Sequence, residues 1–412
     1  MWQQYILIMF LSPMQAQPVP AAGEDSCVEC HLSLGDELAE PVKLASQDIH
    51  FQNRLSCDSC HGGDPSMDVA EEAMSPSKGF VGIPGRKQIG ALCAFCHGKI
   101  DFMRKFNPQA RVDQYNEYLT SMHGKKNQEG DPNAATCIDC HNSHGIQGVS
   151  NPNSPVHATN VAATCGRCHG DSKRMASYRI ATDQQELYGK SVHGEALMKQ
   201  RDLSSPTCND CHGNHGAAPP GVDSVANVCG QCHVTQWNLF NESPHQAAFA
   251  DNGFPACVTC HLNHEILRPT DAMLGVEESA SCVTCHDKGS AGYTAAAQMK
   301  AAIARLQDRL DVANTVLERA ERAGMEVSRP LYQLTTEGRQ SLVLARVQIH
   351  RFSMSVLEKT VAAGNGIAVA SEQSGQKALQ ELAYRRRGMA VSAVILLFMI
   401  GLLLLKIRQL KA

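Results

Sequence analysis

Residues 136–145 read TCIDCHNSHG, and residues 164–170 read TCGRCHG. The same pair returns as TCNDCHGNHG at 207–216 with VCGQCHV at 228–234. A third pair opens with ACVTCHLNHE at 256–265 and closes on CVTCH at 282–286. Working outward, every cysteine falls into a Cys-x-x-Cys-His pentapeptide. The nine motifs are Cys27, Cys30, His31; Cys57, Cys60, His61; Cys93, Cys96, His97; Cys137, Cys140, His141; Cys165, Cys168, His169; Cys208, Cys211, His212; Cys229, Cys232, His233; Cys257, Cys260, His261; and Cys282, Cys285, His286.

Two residues between cysteines let both thiols reach the two vinyl groups of one haem and form thioethers, and the adjacent histidine then lies over the iron. A single such motif competes with thioredoxin-like redox sites and zinc knuckles. Nine motifs with no cysteine left over are far more specific. Zinc sites would need cysteine pairs grouped in fours and give no reason for a histidine after every second cysteine, and a disulfide framework gives none either. The expected cofactor is heme c, nine per chain and covalent.

The motifs form a repeat: a lone histidine, then Cys-x-x-Cys-His-x-x-His, then a second Cys-x-x-Cys-His. His123 (SMHG), His193 (SVHG) and His245 (SPHQ) head three full copies, and His50 heads a first copy that lacks its second histidine. Nine histidines lie outside the motifs: His50, His123, His144, His157, His193, His215, His245, His264 and His350. Because each iron needs a sixth ligand, all nine are candidate axial ligands. His144, His215 and His264 stand too near their own motif histidine to cap the same iron, and so are placed to cap a neighbour. For His350 two readings stay open: a buried imidazole hydrogen-bonded to backbone or propionate, or the cap of the ninth iron. Its helix carries Val343, Val347, Met354 and Leu357 as an expected inward stripe. The missing histidine of the first copy marks the Cys57 and Cys93 sites as candidates for an open iron.

The chain resembles the multihaem cytochromes c with doubled Cys-x-x-Cys-His motifs, over residues 27–286. That group contains electron-transfer proteins and reductases of nitrogen and sulfur compounds. The resemblance implies distal histidines as second axial ligands and haems stacked closely enough for fast tunnelling. A proximal lysine, as in Cys-x-x-Cys-Lys, is absent, which counts against the nitrite-reductase type.

The rest of the chain sets the frame. A formal charge of -4 gives no global field for gathering nucleic acid, and aromatic residues at 5% leave cofactors to fill much of any core. Between motifs the chain is rich in Gly, Pro, Asn and Asp, so loops and short helices are expected around haems that serve as the core. The expected fold class is mainly α with extensive loops and little or no sheet. A signal peptide is read at 1–22 from the short apolar run Tyr5 to Leu11 and the small residues Ala16, Ala21 and Ala22, the alternatives being an uncleaved anchor or a misplaced start. A nonahaem domain follows at 23–290, then a helical hairpin and stalk at 291–388. Ile303, Leu306, Leu310, Ala313, Leu317 and Ala320 form a packing stripe there. Gly324 and Pro330 break the first helix, and a second runs from about Leu331 to Gly364-Asn365-Gly366.

A transmembrane helix is read at 389–407, with a cytoplasmic tail at 408–412. Met389 to Leu405 holds 17 uncharged residues, about 26 Å of helix against roughly 30 Å of hydrocarbon. Arg385, Arg386 and Arg387 before it and Lys406, Arg408 and Lys411 after it can reach the headgroups. Haem c is attached on the outer face of the membrane, so the motif region belongs in the periplasm of a bacterial inner membrane. Expected partners are redox proteins: a membrane cytochrome b or quinol-oxidising subunit, and a periplasmic acceptor. The function expected is electron transfer along mostly bis-histidine haems, with a multihaem oxidoreductase holding one open iron as the alternative.

Overall fold

The computed structural model describes residues 25–216 and 223–411, so the segment read as a signal peptide lies outside the described residues. Among the described residues the protein is helix and loop with no strand. Two compact units divide it: one holds the chain to Val225 together with Asn263–Leu267, and the other holds Ala226–Leu262 and Arg268 onward. The last three pentapeptides therefore share a unit with the C-terminal helices.

The first unit is built from short helices: α1 (Ser26–Leu34), α2 (Asp36–Ala45), α3 (Arg86–His97), α4 (Gln114–Thr120), α5 (Met122–Glu129), α6 (Cys137–His141), α7 (Ala158–His169), α8 (Gln184–Lys190), α9 (Val192–Lys199) and α10 (Cys208–His212). The sequence repeat is a structural repeat. Ser121 Oγ, between α4 and α5, donates to the Tyr118 carbonyl and accepts from the Gly124 N–H at 3.0 Å. Ser191 does the same with Tyr188 and Gly194 between α8 and α9. The glycine after His123 and after His193 is required there: a Cβ on Gly124 or Gly194 would fall 1.9 or 2.1 Å from the Tyr118 or Tyr188 carbonyl oxygen. Each motif helix that follows is started by a threonine and the aspartate between its cysteines. The Thr136 N–H donates to Asp139 Oδ2 at 2.6 Å and the Thr207 N–H to Asp210 Oδ2 at 2.8 Å, a side-chain cap of an otherwise orphaned helix N-terminus.

Apolar burial in this unit is sparse and scattered, at Ala39, Ile89, Ala134, Val161, Met175, Tyr188 and Leu197. Phe95, inside the third motif, is 64% exposed.

The second unit has the contiguous apolar core. After α11 (Val234–Asn241) and α12 (Pro244–Asn252) come α13 (Ala291–Arg322), α14 (Ser328–Gln333), a π turn at Leu334–Gly338, α15 (Arg339–Gln348), a 3₁₀ turn at Ile349–Arg351 and α16 (Met354–Lys411). The expected stripe of α13 is buried from Ile303 to Ala320, and Gly324, at φ +81, ends that helix. Burial of Ile303, Leu306, Leu317 and Leu357, each under 2% exposed, contributes about 1.5–3 kcal/mol per side chain.

Two expectations fail in detail. Gly364-Asn365-Gly366 does not end a helix; α16 runs through it unbroken. Gly364 is there for contact, since a Cβ would meet Leu306 Cδ1 at 2.8 Å and Ser341 Cβ at 2.9 Å. The break lies earlier, at Phe352 in the left-handed region with φ 50. The expected inward stripe holds only in part: Leu357 is fully buried and Met354 packs against the core, whereas Val343 is exposed and Leu342 and Ala345 are buried on that helix instead.

Met389 to Leu405 projects from the unit with its large apolar side chains exposed, and this stretch of α16 is long and apolar enough to cross a membrane.

Candidate functional site

In α3, α6, α7 and α10 the motif cysteines lie on the helix and the motif histidine is its last residue. Among the described residues no disulfide joins any of the eighteen cysteines. Thiols of successive motifs also meet across the repeat boundaries: Cys93 with Cys137, Cys165 with Cys208, and, in the second unit, Cys229 with Cys257. That contact and burial push Cys93, Cys165 and Cys257 above the ordinary thiol range. Consecutive motifs are thus next to one another in space within each unit.

The histidines show the arrangement most sharply. Seven motif histidines each face one histidine from outside the motifs, with ring centroids 6.0 Å apart for His97 and His50, 6.1 Å for His61 and His144, and 6.0 Å for His169 and His123. The other separations are 6.2 Å for His141 and His215, 5.9 Å for His212 and His264, 5.9 Å for His286 and His245, and 6.1 Å for His261 and His350. These gaps are too wide for stacked rings and nearly constant. A metal–imidazole bond of about 2.0–2.1 Å on each side, with the ring nitrogen about 1.1 Å from its centroid, gives roughly 6.2–6.4 Å across a linear nitrogen–metal–nitrogen axis. The pairs fit one iron apiece.

The pairing follows the repeat. The head histidine of a copy faces the second motif of its own copy: His50 with His97, His123 with His169, His245 with His286. The second histidine of Cys-x-x-Cys-His-x-x-His faces the first motif of the preceding copy: His144 with His61, His215 with His141, His264 with His212. No copy follows the one that contains His261, and there His350, brought by the turn between α15 and α16, takes the place. The expectation that the first copy's missing histidine opens the Cys57 or Cys93 site is therefore corrected: His144 faces His61 and His50 faces His97. By the same register, the missing histidine is the one that would face His31.

Several rings are held through Nδ1, which leaves Nε2 as the nitrogen with the available lone pair. His50 Nδ1 donates to Asp48 Oδ1 at 3.0 Å, His61 Nδ1 to the Gly82 carbonyl at 2.9 Å and His350 Nδ1 to the Val347 carbonyl at 2.9 Å. Such contacts fix ring direction and raise ligand basicity. His31 Nδ1 lies 3.3 Å from the Leu38 carbonyl and His157 Nδ1 2.8 Å from Thr159 Oγ1. His193 lies near the start of α9 in the first unit, and His233 caps α11 in the second. Burial, and next the facing imidazole, hold His97, His123, His144, His212, His245 and His261 below the ordinary histidine range. They are neutral near pH 7, the form that binds a metal.

Asp48 was not singled out from the sequence. Its buried carboxylate caps the turn carrying His50, holds that ring and accepts the Ile146 N–H at 2.8 Å. Burial alone would raise its carboxyl, but these bonds hold it below the usual range. The available signal was an aspartate two residues before a lone histidine, the spacing of a helix cap.

The chain matches no family model, no curated protein and no solved structure.

Proposed function

We propose that this protein is a membrane-anchored multihaem cytochrome c that carries electrons along nine haems on the outer face of a bacterial inner membrane. The observation that carries the reading is the set of seven facing imidazole pairs, each joining a motif histidine to one outside the motifs at a spacing that admits one iron. The first unit's scattered apolar burial supports it, because a chain of short helices this long needs other mass at its centre. Haem iron supplies one-electron exchange; this chain's residues tether it by two thioethers, hold it between two oriented imidazoles and keep successive sites adjacent. Bis-histidine ligation gives lower potentials than histidine–methionine ligation, which suits exchange with quinol-linked or more negative donors.

Mass spectrometry of the mature protein is expected to show nine covalent haems, one per motif. A fully matured chain with only a few would sink the proposal. Truncation after Arg387 is expected to release a soluble, red, redox-active protein into the periplasm. If the truncated protein stays with washed membranes, Met389 to Leu405 is not the sole anchor.

A reductase with one open iron is the second reading, and a specific observation favours it. Among the described residues of the first unit, His31 is the motif histidine that no second imidazole ring approaches. Electron paramagnetic resonance of the oxidised protein separates the two readings. Wholly low-spin haem supports transfer, with His157 completing the Cys27 site; a high-spin fraction that is lost when Cys27→Ala and Cys30→Ala remove that haem places the open iron there.

A further inference from the structure

The helices of the second unit fix a direction and a distance. Gly364 of α16 sits against Leu306 of α13, and Gly375 against Leu317. Both steps advance eleven residues, so α13 and α16 run parallel, with α15 returning between them. Both begin at the haem-motif end: α13 follows the motif of His286 directly, and α16 begins just after His350, whose ring faces His261. Both then run toward the membrane-compatible stretch. From Met354 to Gly388 α16 is unbroken helix, about 50 Å at 1.5 Å per residue, and its companion α13 is of similar length. Three interlocked helices over most of that length make a stiff rod; Gly364 and Gly375, where the chain could have been weak, are packing contacts. The apolar stretch itself has no histidine and no acidic residue between Met389 and Leu405, so it offers neither a histidine to hold a haem nor a carboxylate or imidazole to accept a quinol proton.

We infer that the helix bundle is a spacer holding the His261 and His286 sites roughly 50 Å outside the bilayer, and that these sites exchange electrons with a peripheral redox protein, not with a quinol dissolved in the membrane. A gap of that size is far beyond a single tunnelling step. A quinol-oxidising subunit could serve only by raising its own redox centre to that height. The partner clause rests on the haem reading above; the spacer clause rests on the helices alone.

The test uses the full-length, haem-loaded protein in lipid bilayers. Neutron reflectometry of a supported bilayer is expected to show a thin layer of protein density next to the headgroups, and the bulk of the second unit beyond it. In proteoliposomes, a reduced small soluble cytochrome c is expected to equilibrate with the haems, while decylubiquinol in the same vesicles gives no reduction over that period. Haem density lying against the headgroups, or direct and rapid reduction by the quinol, overturns the inference. Pyridine-haemochrome counting on the same sample keeps the two proposals apart. Nine haems on a protein lying flat remove the spacer and leave the cytochrome, whereas a haem-free protein at the expected height removes the cytochrome and its partner.

Discussion

Replacing His350 by alanine is expected to turn one of the nine haems high-spin and able to bind carbon monoxide or cyanide, with all nine still covalently attached. Each first motif of a copy is faced by a histidine from the next copy, and the motif of His261 has no next copy to draw on. His350 stands 6.1 Å from His261 with the rings within 15° of parallel. Its Nδ1 proton is donated to the Val347 carbonyl at 2.9 Å, so Nε2 carries the lone pair that a metal needs. On the proposed reading the thioethers would come from Cys257 and Cys260, which the substitution does not touch, so haem content is expected to stay constant while spin state changes. His350→Met is the informative companion: a thioether that reaches the iron keeps the haem low-spin and raises its potential. An unchanged low-spin spectrum in His350→Ala would remove His350 from the ligand set.

His350 also marks where sequence was sufficient and where it was not. Its candidacy came from counting, nine motifs against eight other histidines, and counting needs no geometry. Its surroundings follow the sequence only in part: Leu357 is buried as the stripe requires, while Val343 faces out on the helix before the turn. Phe352 in the left-handed region rotates the helix that follows, and nothing about a phenylalanine announces that conformation. The covalent motifs and the repeat were legible because their chemistry forces residue types at fixed spacing. Which histidine faces which motif was not legible, because each second histidine serves the preceding copy and that exchange is a matter of how copies pack. The same lack of packing information put the open iron at Cys57 or Cys93, when the register moves the missing histidine to His31. Asp48 escaped notice for a related reason: its role joins residues 98 apart in the chain, a contact that no local pattern announces.

The glycines of α16 provide the other large expected effect, because Gly364 and Gly366 look equivalent in the sequence and should respond in opposite directions. If the pair ended a helix, alanine at either position would cost stability by opposing the turn. Since the helix continues, the intrinsic preference favours alanine over glycine at both by about 0.5–1 kcal/mol. At Gly366 nothing lies within 4 Å of the added Cβ, so Gly366→Ala should stabilise the bundle by that amount. At Gly364 the Cβ would stand 2.8 Å from Leu306 Cδ1 and 2.9 Å from Ser341 Cβ. Leu306 can rotate, but it is fully buried in the same core, and Ser341 Cβ is fixed to the α15 backbone. Overpacking of this kind costs about 1–3 kcal/mol, which outweighs the gain in helix preference over most of that range. Thermal unfolding in detergent, followed by helical circular dichroism, reads the difference at about 2–4 °C per kcal/mol for a unit of this size. Gly366→Ala is expected to raise the midpoint and Gly364→Ala to lower it. Because α15 carries the turn that presents His350, Gly364→Ala should also bring a high-spin signal at lower temperature than in the unsubstituted protein. Equal shifts of the same sign at the two positions would show that α16 does not pack against α13 and α15 at Gly364, and with that contact would go the parallel register from which the length of the bundle was derived.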